Sequence, residues 1–125
     1  MNKIFLTLLI AMIVYTADAQ LSNTKWKGTL NIEGGMDVLF NFSNDTLDVQ
    51  NAADNSSLET MTYMSDDSVL TLTKIYGQSQ CDTTAGKYKY VIVNNEMTLS
   101  LLSDDCPDRA GAIGTMKLEK EGVSQ

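Results

Sequence analysis

The chain has 125 residues, nine Lys or Arg against sixteen Asp or Glu, and no histidine. Its net charge of −7 repels nucleic acid and anionic membranes, and no basic stretch with interleaved aromatics offers a nucleic-acid footprint. Without histidine it lacks the commonest general base, the common zinc ligand and the Ser-His and Cys-His pairs of nucleophilic enzymes.

The first nineteen residues read as a leader. Lys3 supplies a positive start, Ile4 to Tyr15 is apolar except for Thr7, and Ala17-Asp18-Ala19 is a small-x-small cleavage site before Gln20. Those are the three parts of a secretory signal peptide. The alternative is a membrane anchor, but a spanning helix needs about twenty apolar residues and this run has about twelve. No later segment is apolar enough to span, so no membrane span is expected. No cysteine near the cleavage point suggests a lipid anchor. The reading is a signal peptide at 1–19 and one domain at 20–125, exported to the periplasm or the medium.

From residue 24 onward the dominant period is two. Trp26, Gly28, Leu30 and Ile32 share one face against Lys25, Lys27, Thr29 and Asn31. Met36, Val38, Phe40 and Phe42 repeat the pattern after a Gly34-Gly35 turn. Alternation of this kind marks a strand with one buried face, and paired glycines reach the positive φ a tight hairpin needs. Leu47 and Val49 mark a third strand after Ser43-Asn44-Asp45.

Residues 57–64 and 69–76 form the fourth and fifth strands, separated by Ser65-Asp66-Asp67-Ser68. Met61 and Tyr63 alternate there with Leu58, Thr60, Thr62 and Met64, and the pattern leaves open which set faces inward. A longer loop runs from Gly77 to Gly86. Residues 87–93 form a sixth strand, with Tyr88, Tyr90 and Ile92 on one face. Asn94-Asn95-Glu96 turns it into a seventh at 97–103, with Met97, Leu99 and Leu101 aligned. Residues 112–120 form an eighth, with Met116 and Leu118 inward. No segment after the leader shows a helical period, and Pro107 falls in a turn.

Eight short strands at near-regular spacing indicate a sandwich or barrel. Short connections favour an up-and-down meander, and eight strands closing on themselves remove exposed edges. The expected fold is therefore an all-β, eight-stranded antiparallel barrel.

The two cysteines, Cys81 and Cys106, read as a disulfide in an exported chain. Free or catalytic thiols are the competing reading, disfavoured by export and by the absence of a histidine to activate a thiolate. A two-residue turn at Asn94-Asn95 pairs Val93 with Glu96 and Val91 with Thr98. Extended outward, the register sets residue 83 opposite Cys106, so both cysteines lie at the open end of one hairpin.

The order Trp26-Lys27-Gly28 near the start, followed by a meander of seven more strands, resembles the lipocalin and calycin superfamily. Gly86-Lys87-Tyr88, Met97-Thr98-Leu99-Ser100-Leu101 and Asp105-Cys106-Pro107-Asp108-Arg109 are similar to runs in small secreted lipocalin-like proteins of Bacteroidetes. The resemblance implies a calycin-like barrel that binds a small ligand. Typical members clasp the first-strand Trp with an Arg near the end of the last strand. Here the only arginine, Arg109, precedes the last strand, which puts it at the barrel end opposite Trp26. Gly34-Gly35 leaves no room for the helical lid of the fatty-acid-binding branch.

Trp26 and Gly28 are expected to be structural, Trp26 as an apolar plug at one end of the barrel. Phe40, Tyr88, Tyr90 and Arg109 are the ligand-binding candidates, with ordinary packing as the alternative for the tyrosines and pairing with Asp104, Asp105 or Asp108 as the alternative for Arg109. The aspartate clusters at 66–67 and 104–108 do not match a calcium loop. No catalytic residue, metal or cofactor is assigned. Asn41, Asn44 and Asn55 head Asn-x-Ser/Thr triplets, which matter only in a eukaryotic secretory route.

An eight-stranded barrel is just wide enough to be filled by its own side chains or to hold one small ligand. The apolar inward set predicts a largely filled interior, or a shallow cavity near the mouth. The first expected function is binding of a small apolar or amphipathic ligand. The second is a secreted protein-interaction module, a barrel-type protease inhibitor acting through an N-terminal arm at Gln20 to Thr24 or through the Gly77–Gly86 loop. An enzyme is not expected.

Overall fold

A computed structural model describes residues 21–122. The leader and cleavage site read at 1–19 lie outside the described residues. The described chain is a closed antiparallel barrel in which each strand pairs with the next and the last returns to the first. The strands are β1 (Thr24–Leu30), β2 (Met36–Phe42), β3 (Thr46–Asn51), β4 (Ser57–Asp66), β5 (Val69–Gly77), β6 (Gly86–Val93), β7 (Glu96–Asp104) and β8 (Thr115–Lys120). One helix, α1 (Pro107–Ile113), interrupts the last connection.

The alternation read from the sequence is the alternation of burial. Trp26, Val38, Phe40, Phe42, Leu47, Val49, Leu70, Leu72, Tyr88, Tyr90, Met97, Leu99, Met116 and Leu118 all point into one core. The open question on β4 resolves in favour of Met61 and Tyr63, which are buried, while Met64 is 70% exposed. The β3 register sets Met61 opposite Leu47 and Thr60 opposite Asp48, and the shift in the β4–β5 pairing adds its extra residue, Ile75, to β5. Thr60 is also buried, but on the other face, where its hydroxyl donates to Asp48 Oδ1 at 3.2 Å.

The turns follow from backbone chemistry. Gly34 and Gly35 both take positive φ between β1 and β2. The Asp67-Ser68 turn also has both residues at positive φ, the mirror-image turn whose twist suits a hairpin. Val93 pairs with Glu96 and Val91 with Thr98, in the register set by Asn94-Asn95.

Four expectations need correction. The stretch around Pro107 is a seven-residue helix rather than a turn, and β8 begins at Thr115 rather than 112. Ile32 is not on the buried face of β1: the strand ends at Leu30, and Ile32 sits in the turn, 42% exposed. Leu101 is also exposed, because the β6–β7 register shifts at Lys87/Tyr88 and re-aims the end of β7.

Closure depends on Gly28. Its rung pairs it with Leu118 of β8. A Cβ there would lie 2.9 Å from the Met116 methyl and 3.0 Å from Leu118 Cγ. The absence of a side chain lets β8 dock against β1.

The meander sorts its connections to two ends. The base collects the turns at 43–45, 67–68 and 94–95. It is plugged by Leu21, Trp26, Phe42 and Tyr63, all buried. Phe42 and Tyr63 meet edge to face at 5.0 Å, Tyr63 Oη donates to the Ser43 carbonyl at 2.6 Å, and Trp26 Nε1 donates to Thr24 Oγ1 at 2.8 Å. The mouth collects the turns at 31–35 and 52–56, the β5–β6 loop and α1. Cys81 and Cys106 are disulfide-bonded there, with Cα atoms 5.4 Å apart.

Candidate functional site

Strands that bury large side chains at the base run out of them toward the mouth. The space left is a cavity of about 390 Å³. Leu30 and Met36 flank it from the first hairpin. Phe40, Val49, Leu58 and Met61 form its floor and far wall, and Ile113 of α1 closes one side. Polar groups stand only at the rim: Glu59, Gln78, Ser79, Asp108 and Arg109. An apolar chamber with a few convergent polar groups is the usual form of a small-molecule site.

The rim is built by α1. Pro107 occupies its first turn, where the missing N–H costs nothing and the fixed φ favours the helix. Arg109 and Ile113, four apart and therefore on one face, are its buried residues. The Cys106 amide donates to Asp104 Oδ1 at 2.9 Å, which anchors the start of the helix to the end of β7.

Arg109 is the most constrained charge among the described residues. Its side chain is 4% exposed, and the Asp104 side chain against it is fully buried. Nε donates to Asp104 Oδ2 at 2.6 Å and Nη2 to Asp104 Oδ1 at 2.8 Å, a bidentate fork. Nη2 also donates to the Thr84 carbonyl at 2.7 Å. Nη1 is buried and is the one such side-chain atom, among the described residues, without a hydrogen-bond partner. Burial alone would push the Asp104 carboxyl up. The hydrogen bonds from Arg109, Tyr88 and the Cys106 amide outweigh that and hold it below the ordinary carboxylate range. Tyr88 is driven the other way, above the ordinary phenol range, first by burial and then by the Asp104 carboxylate that accepts its hydrogen bond.

The β5–β6 loop is tied to α1 at three points: the disulfide, the Gln80 amide donating to Asp108 Oδ2 at 2.9 Å, and the Thr84–Arg109 bond. On the opposite side Ser79 donates its amide to Glu59 at 3.1 Å, and its hydroxyl to the same carboxylate at 2.5 Å. Lys74 Nζ lies 3.9 Å from Glu59 and donates to the Ser79 carbonyl at 2.6 Å. Gly86 makes the cluster possible, since a Cβ there would lie 2.2 Å from Asp104 Oδ2 and 2.8 Å from Arg109 Nε.

Of the four ligand-binding candidates, Phe40 and Arg109 line the cavity. Tyr88 and Tyr90 lie in the core below it. The Tyr88 hydroxyl is engaged by Asp104, and the Tyr90 hydroxyl bonds Ser65 Oγ at 2.8 Å. Of the three aspartates around Cys106 and Arg109 in sequence, Asp104 is the partner of Arg109, one of the pairings weighed for it above. Sequence reasoning missed Glu59, Ser79 and Ile113 as rim residues. The four-residue spacing of Arg109 and Ile113, after Pro107, was the available signal for the helix.

The proposed inhibitory arm is not an arm over the residues described. Leu21 is fully buried in the core, and Ser22 Oγ donates to Asn44 Oδ1 at 2.8 Å. Among the described residues no three of His, Cys, Asp and Glu gather as a metal site, and no helix is long and apolar enough to cross a membrane. No family model, curated protein or solved structure matches the chain.

Proposed function

We propose that this is an exported, lipocalin-like barrel that binds a small apolar or amphipathic molecule at its mouth. The observation that carries the reading is the apolar cavity of about 390 Å³ with Arg109 in its wall. Its volume falls in the range of small-molecule sites, roughly 300–1,000 Å³, and it opens at the end of the barrel where the side chains are held by a disulfide and a buried ion pair. Apolar contact supplies affinity at ~25 cal/mol per Å² removed from water, and the rim orients the polar end. Native mass spectrometry of protein purified from its own host tests this directly. A bound small molecule that is lost when Val49→Trp fills the cavity is the expected result. Protein that is ligand-free from every native source would count against the reading.

The second reading, a protein-interaction module, draws its support from the β5–β6 loop. Its backbone is fixed at Gln80, Cys81 and Thr84, and a preorganised loop loses little entropy on docking. Inhibition of proteases from the same environment, abolished by substitutions in 78–85 that leave the barrel folded, would favour it. Deleting residues 20–24 would not test it, because Leu21 belongs to the core.

A further inference from the structure

Charge is unevenly placed along the barrel axis. The lysines of the described residues all lie on strands, and two of them, Lys25 and Lys120, stand in the surface groove at the base. The segments that frame the mouth, at 31–35, 52–56, 78–85 and 105–114, hold no lysine. Their one cation, Arg109, is buried and matched by Asp104. The same segments hold Glu33, Asp54, Asp82, Asp105 and Asp108, all exposed and none in an ion pair among the described residues. The nearest lysine in sequence, Lys87, projects from the outer face of β6, since Tyr88 beside it is buried.

The cavity lining narrows this to one residue. Glu59, Asp108 and Arg109 are its charged members. Arg109 is occupied by Asp104, and Glu59 has Lys74 at 3.9 Å and both donors of Ser79. Asp108 accepts the Gln80 amide at Oδ2 and faces no cation. It is the one charge in the lining that a ligand can still match. Apolar walls of low dielectric focus the field of fixed charges into a cleft. A chamber that opens between unpaired carboxylates therefore gathers cations and turns anions away. A carboxylate head would lose water beside Asp108 and find no free cation in return.

We propose that the ligand is a cationic amphipath, with an apolar body of about ten carbons in the chamber and an ammonium-type head at the rim beside Asp108. The size follows from the 390 Å³ volume at ~30 Å³ per water-sized group. This rests on the binding reading above and narrows it by the sign of the ligand's charge.

The test separates the two. The neutral dye N-phenylnaphthylamine is titrated into the full chain at pH 7 and low salt, then displaced by decylammonium, decanol and decanoate below their micelle concentrations. Dye that does not bind would sink the cavity reading and this inference with it. If the dye binds, decylammonium is expected to displace it at a concentration at least ~10-fold lower than decanoate, with decanol between them. Decanoate as effective as decylammonium, or decanol the most effective of the three, would overturn the charge inference and leave the cavity reading intact. In 0.5 M sodium chloride the preference is expected to shrink to within ~3-fold, because salt screens exposed carboxylates. A preference that salt leaves unchanged would remove the rim charges as its cause. Asp108→Asn keeps an acceptor for the Gln80 amide and deletes the charge. It is expected to lower the decylammonium preference by ~2–3-fold at low salt, and an unaltered preference in the folded variant would show that Asp108 does not receive the head.

Discussion

The Lys120 ammonium lies 5.9 Å from the centre of the Trp26 ring, across the pair of strands that closes the barrel. The two residues occupy one rung, so the last strand covers the plug of the first. The lipocalin-like barrel we propose would place an arginine near the end of the last strand over this tryptophan. Here a lysine on the last strand stands over the ring, and the arginine works at the other end of the molecule. Lys120→Ala is expected to cost ~0.5–1 kcal/mol, the size of an exposed cation–π contact. Trp26→Ala is expected to cost ~3–5 kcal/mol, because it empties the base of the core. Urea denaturation read by circular dichroism compares them. Equal costs would show that the ring is not the plug.

The Asp104–Arg109 pair is expected to behave as a unit. Asp104→Asn leaves a buried guanidinium without its counter-charge, a loss of ~3–5 kcal/mol. Replacing both by apolar residues, Asp104→Leu with Arg109→Met, is expected to cost less than Asp104→Asn alone, since neither charge is then stranded. Thermal melts of the two variants check the order. A double variant that melts below the single one would mean the pair stabilises the fold beyond repairing its own burial.

Gly86→Ala is expected to fall with that pair. Its methyl would meet Asp104 and Arg109 far inside contact distance, so the cluster or the β6 backbone must move. Overpacking of this kind costs ~1–3 kcal/mol, which at ~4–8 °C per kcal/mol for a domain of this size gives a melting point lower by roughly 10 °C. Gly34→Ala, where a Cβ meets nothing but φ is positive, is the control for backbone strain alone.

Acid stability follows from the sign of the Asp104 shift. Its folded carboxyl lies below the ordinary range, so the folded state holds its proton less tightly than the unfolded one. The resulting stabilisation is fully present above the unfolded value, ~3.9 for Asp, and is lost as pH falls through the lower folded value. Stability measured from pH 6 to pH 2 is expected to drop below pH ~4, with a shallower slope in Asp104→Asn. Identical slopes in the two proteins would remove Asp104 from the account.

The disulfide closes a loop of 25 residues, which in the chain-entropy model is worth ~3.5 kcal/mol. Cys81→Ser with Cys106→Ser is expected to lower stability by about that amount. Because the bridge ties the β5–β6 loop to α1, proteolysis of the double variant is expected to begin within 78–86. First cuts elsewhere would mean the other two ties, at Gln80 and Thr84, suffice to hold the loop.

The strands were legible because one buried face imposes a two-residue rhythm, and Trp26, Phe40, Tyr88 and Leu118 keep it without a break. Legibility failed where a bulge adds a residue. Leu58 and Glu59 both line the cavity where the β3–β4 register shifts, and no periodic reading predicts two neighbours on one face. The helix escaped notice because seven residues with Gly111 in the middle make a weak helical pattern. Pro107 read as a turn former, although it also suits a helix start. Half of the candidate site was visible: Phe40 sits on a clean strand, and Arg109 is the only arginine. The rest of the rim was not, because Glu59 and Ser79 meet only through the β4–β5 register and the fold of a loop without periodicity.

The central claim is that the mouth, not the base or an outer face, receives the ligand. Amide chemical-shift mapping during titration with decanol tests it most directly. The account predicts shifts concentrated at Leu30, Met36, Val49, Leu58, Arg109 and Ile113, with Leu21, Phe42 and Lys120 unmoved. Shifts centred on the base residues, or saturable binding that leaves the mouth residues unchanged, would contradict it.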